Sequence, residues 1–174
     1  HHTTPEKCVE DSRSAVRYVR KNAAQLGIDP GTIIVAGASA GAHLAVCLGL
    51  IDVLDDPQDD KGISCCPQAI VLFGPCSDTS GHASRWKGSP LEARGKELAR
   101  SMSPMHNLAA NCAPVIMMSG SNDVYLPANR IFAQESLALG NRVELYSAPN
   151  MPHPFHNDSP WLEAAVIQTD RFLA

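Results

Sequence analysis

The sequence predicts an α/β protein in which a parallel sheet carries helices on both of its faces. Three observations lead there. Four short runs, 32–36, 69–73, 115–119 and 143–147, are largely apolar instead of alternating, as in parallel strands covered from both sides. Stretches with helical periodicity separate the runs, so the strands are joined by crossovers and not by hairpins. The pentapeptide Gly37-Ala38-Ser39-Ala40-Gly41 stands between the first run and a helical pattern, a strand-to-helix turn built from the smallest residues. A length of 174 residues suits one domain, 1–174, with a core of its own.

Taken in order, the first helix opens with Thr4 as cap and Pro5 at the first helical position, Thr3 with Glu6 offering an alternative capping box. Val9, Val16, Val19, Ala23 and Leu26 fall on one face, and Gly27 closes the helix. Asp29-Pro30-Gly31 turns the chain into the strand 32–36. A helix over 40–54, apolar nearly all round, follows and is expected to be buried. The acidic stretch 55–60 ends it as a solvated loop; a calcium site there would lack the EF-hand spacing and its terminal Glu. After the strand 69–73 comes a long segment, 74–113, rich in Gly, Pro and Ser, with a short helix at 91–100. Connections of that length inside a compact domain are usually functional, as a pocket wall or lid. Helices at 128–139 and 159–173 complete the alternation.

Composition excludes several functions. Lys plus Arg number 14 against 18 Asp plus Glu, a net charge of −4, which argues against a nucleic-acid surface. No apolar run approaches the ~18 residues of a membrane span. The six cysteines, at 8, 47, 65, 66, 76 and 112, contain no C-x-x-C and match no zinc pattern. They read as reduced or buried thiols, with one or two disulfides as the other possibility. The chain opens with His1-His2 and no initiator Met, as a tag remnant would, or a chain beginning inside a longer protein.

The chemistry begins at Ser39. G-x-S-x-G between a strand and a helix is a nucleophile elbow: a sharp turn that holds the serine in a strained conformation with its hydroxyl above the sheet. Crowding at the turn calls for residues without side chains two before and two after, here Gly37 and Gly41. The backbone N–H of Ala40, at the helix N-terminus, is placed to donate to a developing oxyanion. Neither G-x-x-x-x-G-K-[ST] nor G-x-G-x-x-G is present, so phosphate-loop readings fail.

A serine hydroxyl is a weak nucleophile at neutral pH and needs a base, and the base needs an orienting acid. On this kind of sheet the partners follow in the order Ser, Asp or Glu, His. Asp123 lies just past the strand 115–119, at a carboxyl end where ligands and catalytic groups gather. Asp78, after the preceding strand, is its rival. Past the last strand either His153 or His156 can serve as base, and His153 is closer to the strand end. A metal reading of that histidine pair is weaker, because Pro154 interrupts any helical face and no third ligand is apparent. His43, one helical turn after Ser39, reads as a hydrogen-bonded core histidine, and His106 as a packing residue.

With these residues in place, the chain resembles the C-terminal part of an α/β-hydrolase of the esterase and lipase kind, near the acetyl-esterase and carbohydrate-esterase members. The matching stretches are the first helix with Gly27-Ile28-Asp29-Pro30, the elbow with Ala42-His43-Leu44-Ala45, Ser103-Pro104, 120–127, and His153-Pro154-Phe155, where the family reads His-Gly-Phe. The resemblance implies an α/β-hydrolase fold lacking its N-terminal strands. It also implies Ser39 as nucleophile, Asp123 as acid and His153 as base, acting on small esters, acetyl-type and possibly carbohydrate-linked, with no metal or organic cofactor. A peptidase or lactone hydrolase on the same three residues, or a non-catalytic hydrolase fragment acting as an interaction module, are the alternatives. The family's second oxyanion donor comes from an HGGG-type loop upstream of the elbow, and no glycine precedes Gly27 here. The strand 32–36 is therefore expected to leave an unpaired edge and the helix after it an exposed apolar surface, inviting self-association or a complementary N-terminal segment.

Overall fold

The computed structural model describes residues 3–52, 54–82, 87 and 92–174. His1, His2 and Val53, and part of the segment 83–91 with Leu91, lie outside the described residues. Four parallel strands, β1 (Ile34–Ala38), β2 (Ala69–Phe73), β3 (Val115–Gly120) and β4 (Val143–Ala148), form one sheet in the order β1-β2-β3-β4. Among the described residues β1 pairs with β2 alone and β4 with β3 alone, so both ends of the sheet are edges.

The helix α1 (Pro5–Lys21) begins as the sequence requires, with the Thr4 hydroxyl accepting from the Lys7 N–H and Pro5 in the first turn. It breaks at Asn22 into the short α2 (Ala23–Leu26), which Gly27 ends in the left-handed region at φ 68°. The buried face differs from the apolar stripe read from the sequence. Leu26 is exposed, and Arg13 and Arg17 are buried beside Val9 and Val16. Their partners are the acidic stretch expected to be solvated. Arg13 Nε and Arg17 Nη1 donate to Asp55 Oδ1 at 2.7 and 2.6 Å, and Arg17 Nη1 also reaches Asp59 Oδ2 at 3.0 Å. That loop is thus latched to α1, because two buried guanidinium groups need carboxylates in place of water. The two arginines hold the Asp55 carboxyl down to about 2.

β1 starts two residues later than expected and runs up to the elbow. The helix α3 (Ala40–Leu50) ends four residues short of the expected stop, Ile51 turning extended with its side chain buried. Five consecutive-turn positions of α3, from Ala42 to Leu48, are buried, and α1 packs across it. The exposed apolar surface expected on this helix is therefore covered, chiefly by α1 and Met102. The helix in the long connection is α4 (Gly95–Ser101), following a 3-10 turn at Glu92–Arg94. The last two helices are α5 (Leu126–Ala138) and α6 (Trp161–Leu173).

Two cores sandwich the sheet. On one face α3 and α5 bury Ile70, Leu72, Val115, Met117 and Val143 against Ala45, Val46 and Phe132. On the other, Ala165 and Phe172 of α6, with Phe155 from the turn before it, cover Val71, Ile116 and Met118. The coverage stops before β1. Ile34, Ala36 and Ala38 share the face of their register partners Ala69, Val71 and Phe73, yet all three are exposed, Ile34 by 45%. Parallel strands covered from both sides describe β2 and β3; β1 is covered on the α3 face only. All six cysteines are free thiols. Among the described residues no helix is long and apolar enough to cross a membrane, and no group of three or more metal-ligating side chains converges.

Candidate active site

The carboxyl ends of β1, β3 and β4 bring Ser39, Asp123 and His153 together. Ser39 sits between β1 and α3 with φ 52° and ψ −116°, a backbone conformation rarely adopted by a residue with a side chain. Its N–H donates to the Phe73 carbonyl at 2.8 Å, which ties the turn to the end of β2. A Cβ on Gly37 would lie 2.3 Å from the Gly41 carbonyl oxygen, so the turn closes only over glycine there. Gly41 departs from expectation, since a Cβ at that position meets no atom within 4 Å. The crowding on that side of the elbow is absent among the described residues. Ala40 opens α3 and is exposed, leaving its N–H end of the helix accessible from the side of the serine.

Asp123 is set by its own turn. Its N–H donates to the Gly120 carbonyl, and its Oδ1 accepts from the Tyr125 N–H at 2.9 Å. The carboxylate is buried, with the residue 4% exposed. The loop after β4 is laced onto this turn: Ser121 N–H to the Ala148 carbonyl, Asn122 N–H to the Met151 carbonyl, and Asn150 N–H to the Ser121 hydroxyl at 2.7 Å. Gly120 makes the crossing possible, because a Cβ there would lie 2.1 Å from the Met151 oxygen. So fixed, His153 Nδ1 stands 2.8 Å from Asp123 Oδ2, and His153 Nε2 stands 2.8 Å from Ser39 Oγ. A carboxylate can only accept, so the imidazole donates from Nδ1. Nε2 is then left to accept the serine hydroxyl proton. The Tyr125 ring meets the imidazole edge-on at 5.3 Å.

The rival residues go elsewhere. Asp78 Oδ1 accepts from the Ser80 N–H at 2.8 Å and the Ser103 hydroxyl at 3.2 Å, inside the long connection. Burial pushes its carboxyl up, but those hydrogen bonds outweigh it and the group lies below the ordinary value. His156 packs between Phe73 and Phe155 with Nδ1 buried and unpartnered, and burial, with His153 nearby, lowers its pKa. His43 is the hydrogen-bonded core residue expected, Nε2 donating to the Met102 carbonyl at 2.8 Å. His106 bonds the Ser103 hydroxyl at 3.0 Å instead of merely packing. Sequence reasoning missed Gly74, Gly120 and Tyr125. For the two glycines the available signal was their place at the ends of β2 and β3.

A parallel sheet with helices on both faces, a strained serine at the first strand-to-helix turn and an Asp–His pair past the last two strands are the arrangement of the α/β-hydrolase fold. More narrowly, residues 2–136 match BD-FAE, and the chain belongs to that family. It is similar to Esterase LipC of Mycobacterium tuberculosis, with 26% identity over 89% of this chain and 42% of LipC. Carboxylesterase NlhH from the same organism is 25% identical over 95% of this chain and 56% of its own. Among solved structures, the apo form of Thermogutta terrifontis esterase 2 superposes with a TM-score of 0.87 and 33% identity, covering 99% of this chain and 66% of that one. The chain thus spans about half the length of these curated relatives and about two thirds of the solved esterase.

Proposed function

We propose that the chain is the catalytic part of a serine carboxylic-ester hydrolase in which Ser39 is the nucleophile, His153 the general base and Asp123 the orienting acid. The observation that carries this is the relay of two 2.8 Å contacts from Ser39 Oγ through the His153 ring to the buried Asp123 carboxylate. Ser39 Oγ attacks the ester carbonyl as its proton passes to His153 Nε2. The charge on the carbonyl oxygen falls to the Ala40 N–H, and the imidazolium returns its proton to the leaving alcohol. Water, activated by the same nitrogen, then attacks the acyl-serine and releases the acid. Asp123 stabilises the imidazolium and holds Nδ1 as the donor. Small acyl groups are the proposed substrates, in keeping with structures of the Thermogutta terrifontis esterase with propionate and with butyrate bound. The test is hydrolysis of p-nitrophenyl acetate with labelling by a fluorophosphonate. Turnover is expected to vanish in Ser39→Ala, with Ser39 the labelled serine. Label on another serine, or unchanged turnover in the variant, would refute the assignment.

We also propose that residues 1–174 form one partial hydrolase domain whose β1 edge and uncovered β1 face take a complementary strand-bearing segment or a second copy. The support is the exposure of Ile34, Ala36 and Ala38 beside an edge with no described partner, and the open space at Gly41. An oxyanion site with Ala40 N–H as its sole donor would turn over about 10²–10³-fold more slowly than one with two. Light scattering on the chain should show self-association, and adding the complementary segment should raise both solubility and turnover. A monomer with undiminished activity would dismiss this proposal.

A further inference from the structure

We infer that Gly74, at the end of β2, is a positioning residue that fixes the His153 imidazole between Asp123 and Ser39. The role rests on the ester-hydrolase proposal above. Gly74 is buried, has a left-handed backbone at φ 56°, and donates its N–H to the Met118 carbonyl at 2.7 Å. A Cβ built on it would lie 2.9 Å from His153 Cε1, 3.0 Å from His153 Nδ1 and 3.3 Å from Asp123 Oδ2. Those three atoms are the two ends of the Asp–His hydrogen bond and the ring carbon between the two imidazole nitrogens. The part of the ring that must not move thus occupies the space a Cβ at position 74 would need. The Tyr125 ring meets the same imidazole edge-on, so the ring is confined by two groups besides its hydrogen bonds. The carbonyl of the preceding residue, Phe73, holds the Ser39 N–H. One dipeptide, Phe73-Gly74, therefore sets the position of both the nucleophile's backbone and the base's ring.

A methyl group at position 74 cannot be accommodated by the backbone, which is pinned to β3, nor by Asp123, which its own turn holds. The displacement falls on the imidazole. Moving the ring by a few tenths of an ångström to an ångström lengthens both 2.8 Å contacts together, and a shift of ~1 Å at a reacting group can cost about 10²-fold in rate. The atoms a Cβ at position 74 would meet belong to His153 and Asp123, so the expected effect is on kcat, with KM held.

The experiment compares Gly74→Ala with Gly27→Ala and Gly140→Ala. All three glycines have positive φ, but a Cβ at Gly27 or Gly140 meets nothing within 4 Å. The controls therefore report backbone strain alone. Expected for Gly74→Ala is a fall in kcat of about 10²-fold with KM within twofold, together with loss or broadening of the downfield His153 Nδ1 proton in the NMR spectrum. The controls should keep both kcat and that proton. Wild-type kcat and an intact Nδ1 resonance in folded Gly74→Ala would overturn the proposal. Should Gly74→Ala not fold, Gly74→Asn, which tolerates the left-handed backbone and carries the same Cβ, is measured in its place. If neither folds while Gly27→Ala does, the glycine is structural and the proposal fails. The NMR readout needs no turnover, so absence of Ser39-dependent hydrolysis in the wild-type chain would count against the ester-hydrolase proposal and leave this test intact.

Discussion

Replacing Asp123 by Asn changes one atom and should cost almost all turnover, for a reason visible in the turn around it. The Tyr125 N–H points at Oδ1 from 2.9 Å, and the His153 ring meets Oδ2 at 2.8 Å. A backbone N–H can only donate, so the amide must present its oxygen to Tyr125. Its NH₂ group then faces His153 Nδ1, and two donors cannot share that contact. The ring responds by giving up the Nδ1 proton and carrying its hydrogen on Nε2, facing the Ser39 hydroxyl. The base is then blocked while the geometry survives. Reversing the amide offers no escape, since it sets two donors against each other at Tyr125, beside a residue only 4% exposed. The expected loss is about 10⁴-fold in kcat, or about 5.5 kcal/mol of transition-state stabilisation. The assay is p-nitrophenyl acetate turnover at pH 7, with the melting temperature as the check on folding. Asp78→Asn serves as control and should leave turnover intact. A folded Asp123→Asn chain keeping a tenth of the activity would show that Asp123 does not set the tautomer.

Other outcomes follow from the same geometry. His153→Ala should be as damaging as Ser39→Ala, because the group acts as a unit, whereas His156→Ala should keep turnover within about tenfold; the same assay reads both. Gly37→Ala should unfold the elbow, its Cβ meeting backbone at 2.3 Å, while Gly41→Ala should stabilise the chain by about 0.5–1 kcal/mol through helix propensity, as thermal melts would show. Asp55→Ala should destabilise by about 3 kcal/mol, since Arg13 loses its carboxylate and Arg17 keeps only Asp59. In the native chain, the Asp55 carboxyl sits at about 2 against an ordinary 3.8. Its contribution is therefore complete above about pH 4 and lost as pH falls through 2, worth about 2 kcal/mol. Denaturant melts of wild type and Asp55→Ala should converge toward pH 2.

The elements were legible wherever one local rule decided them. Apolar runs located the four strands, the last of them despite Glu144, and Thr4, Pro5 and Gly27 bounded the first helical stretch. The elbow was legible because a strand, a serine and glycines at fixed spacing have one joint explanation, and Asp123 and His153 because strand ends are where such sheets place polar groups. Hidden were the features that depend on pairs far apart in the chain. Arg13 and Arg17 interrupt an apolar stripe, and only Asp55 and Asp59, about forty residues on, make them buried residues. The stop of α3 at Leu50 was invisible for the same reason: 51–54 stay apolar but for Asp52, and Ile51 is recruited by Val9, Cys47 and Met102 in place of another helical turn. Gly74 carries no local mark beyond its place at the end of β2, since what it accommodates comes from residues 123 and 153.

The two edges that the described strands leave on the sheet are different surfaces, and that difference decides the shape of any assembly built through them. If β1 of one copy pairs with β4 of the next, every strand points the same way and each join leaves a fresh edge identical to the one consumed. Such growth does not close and yields a fibre. If β1 meets β1, a two-fold axis through the sheet makes the junction antiparallel and consumes both β1 edges at once, so an assembly built through β1 alone stops at two copies with a β4 edge at each end. The mass reached at rising protein concentration separates them: a plateau at twice the chain for the closed form, a mass that keeps climbing for the open one.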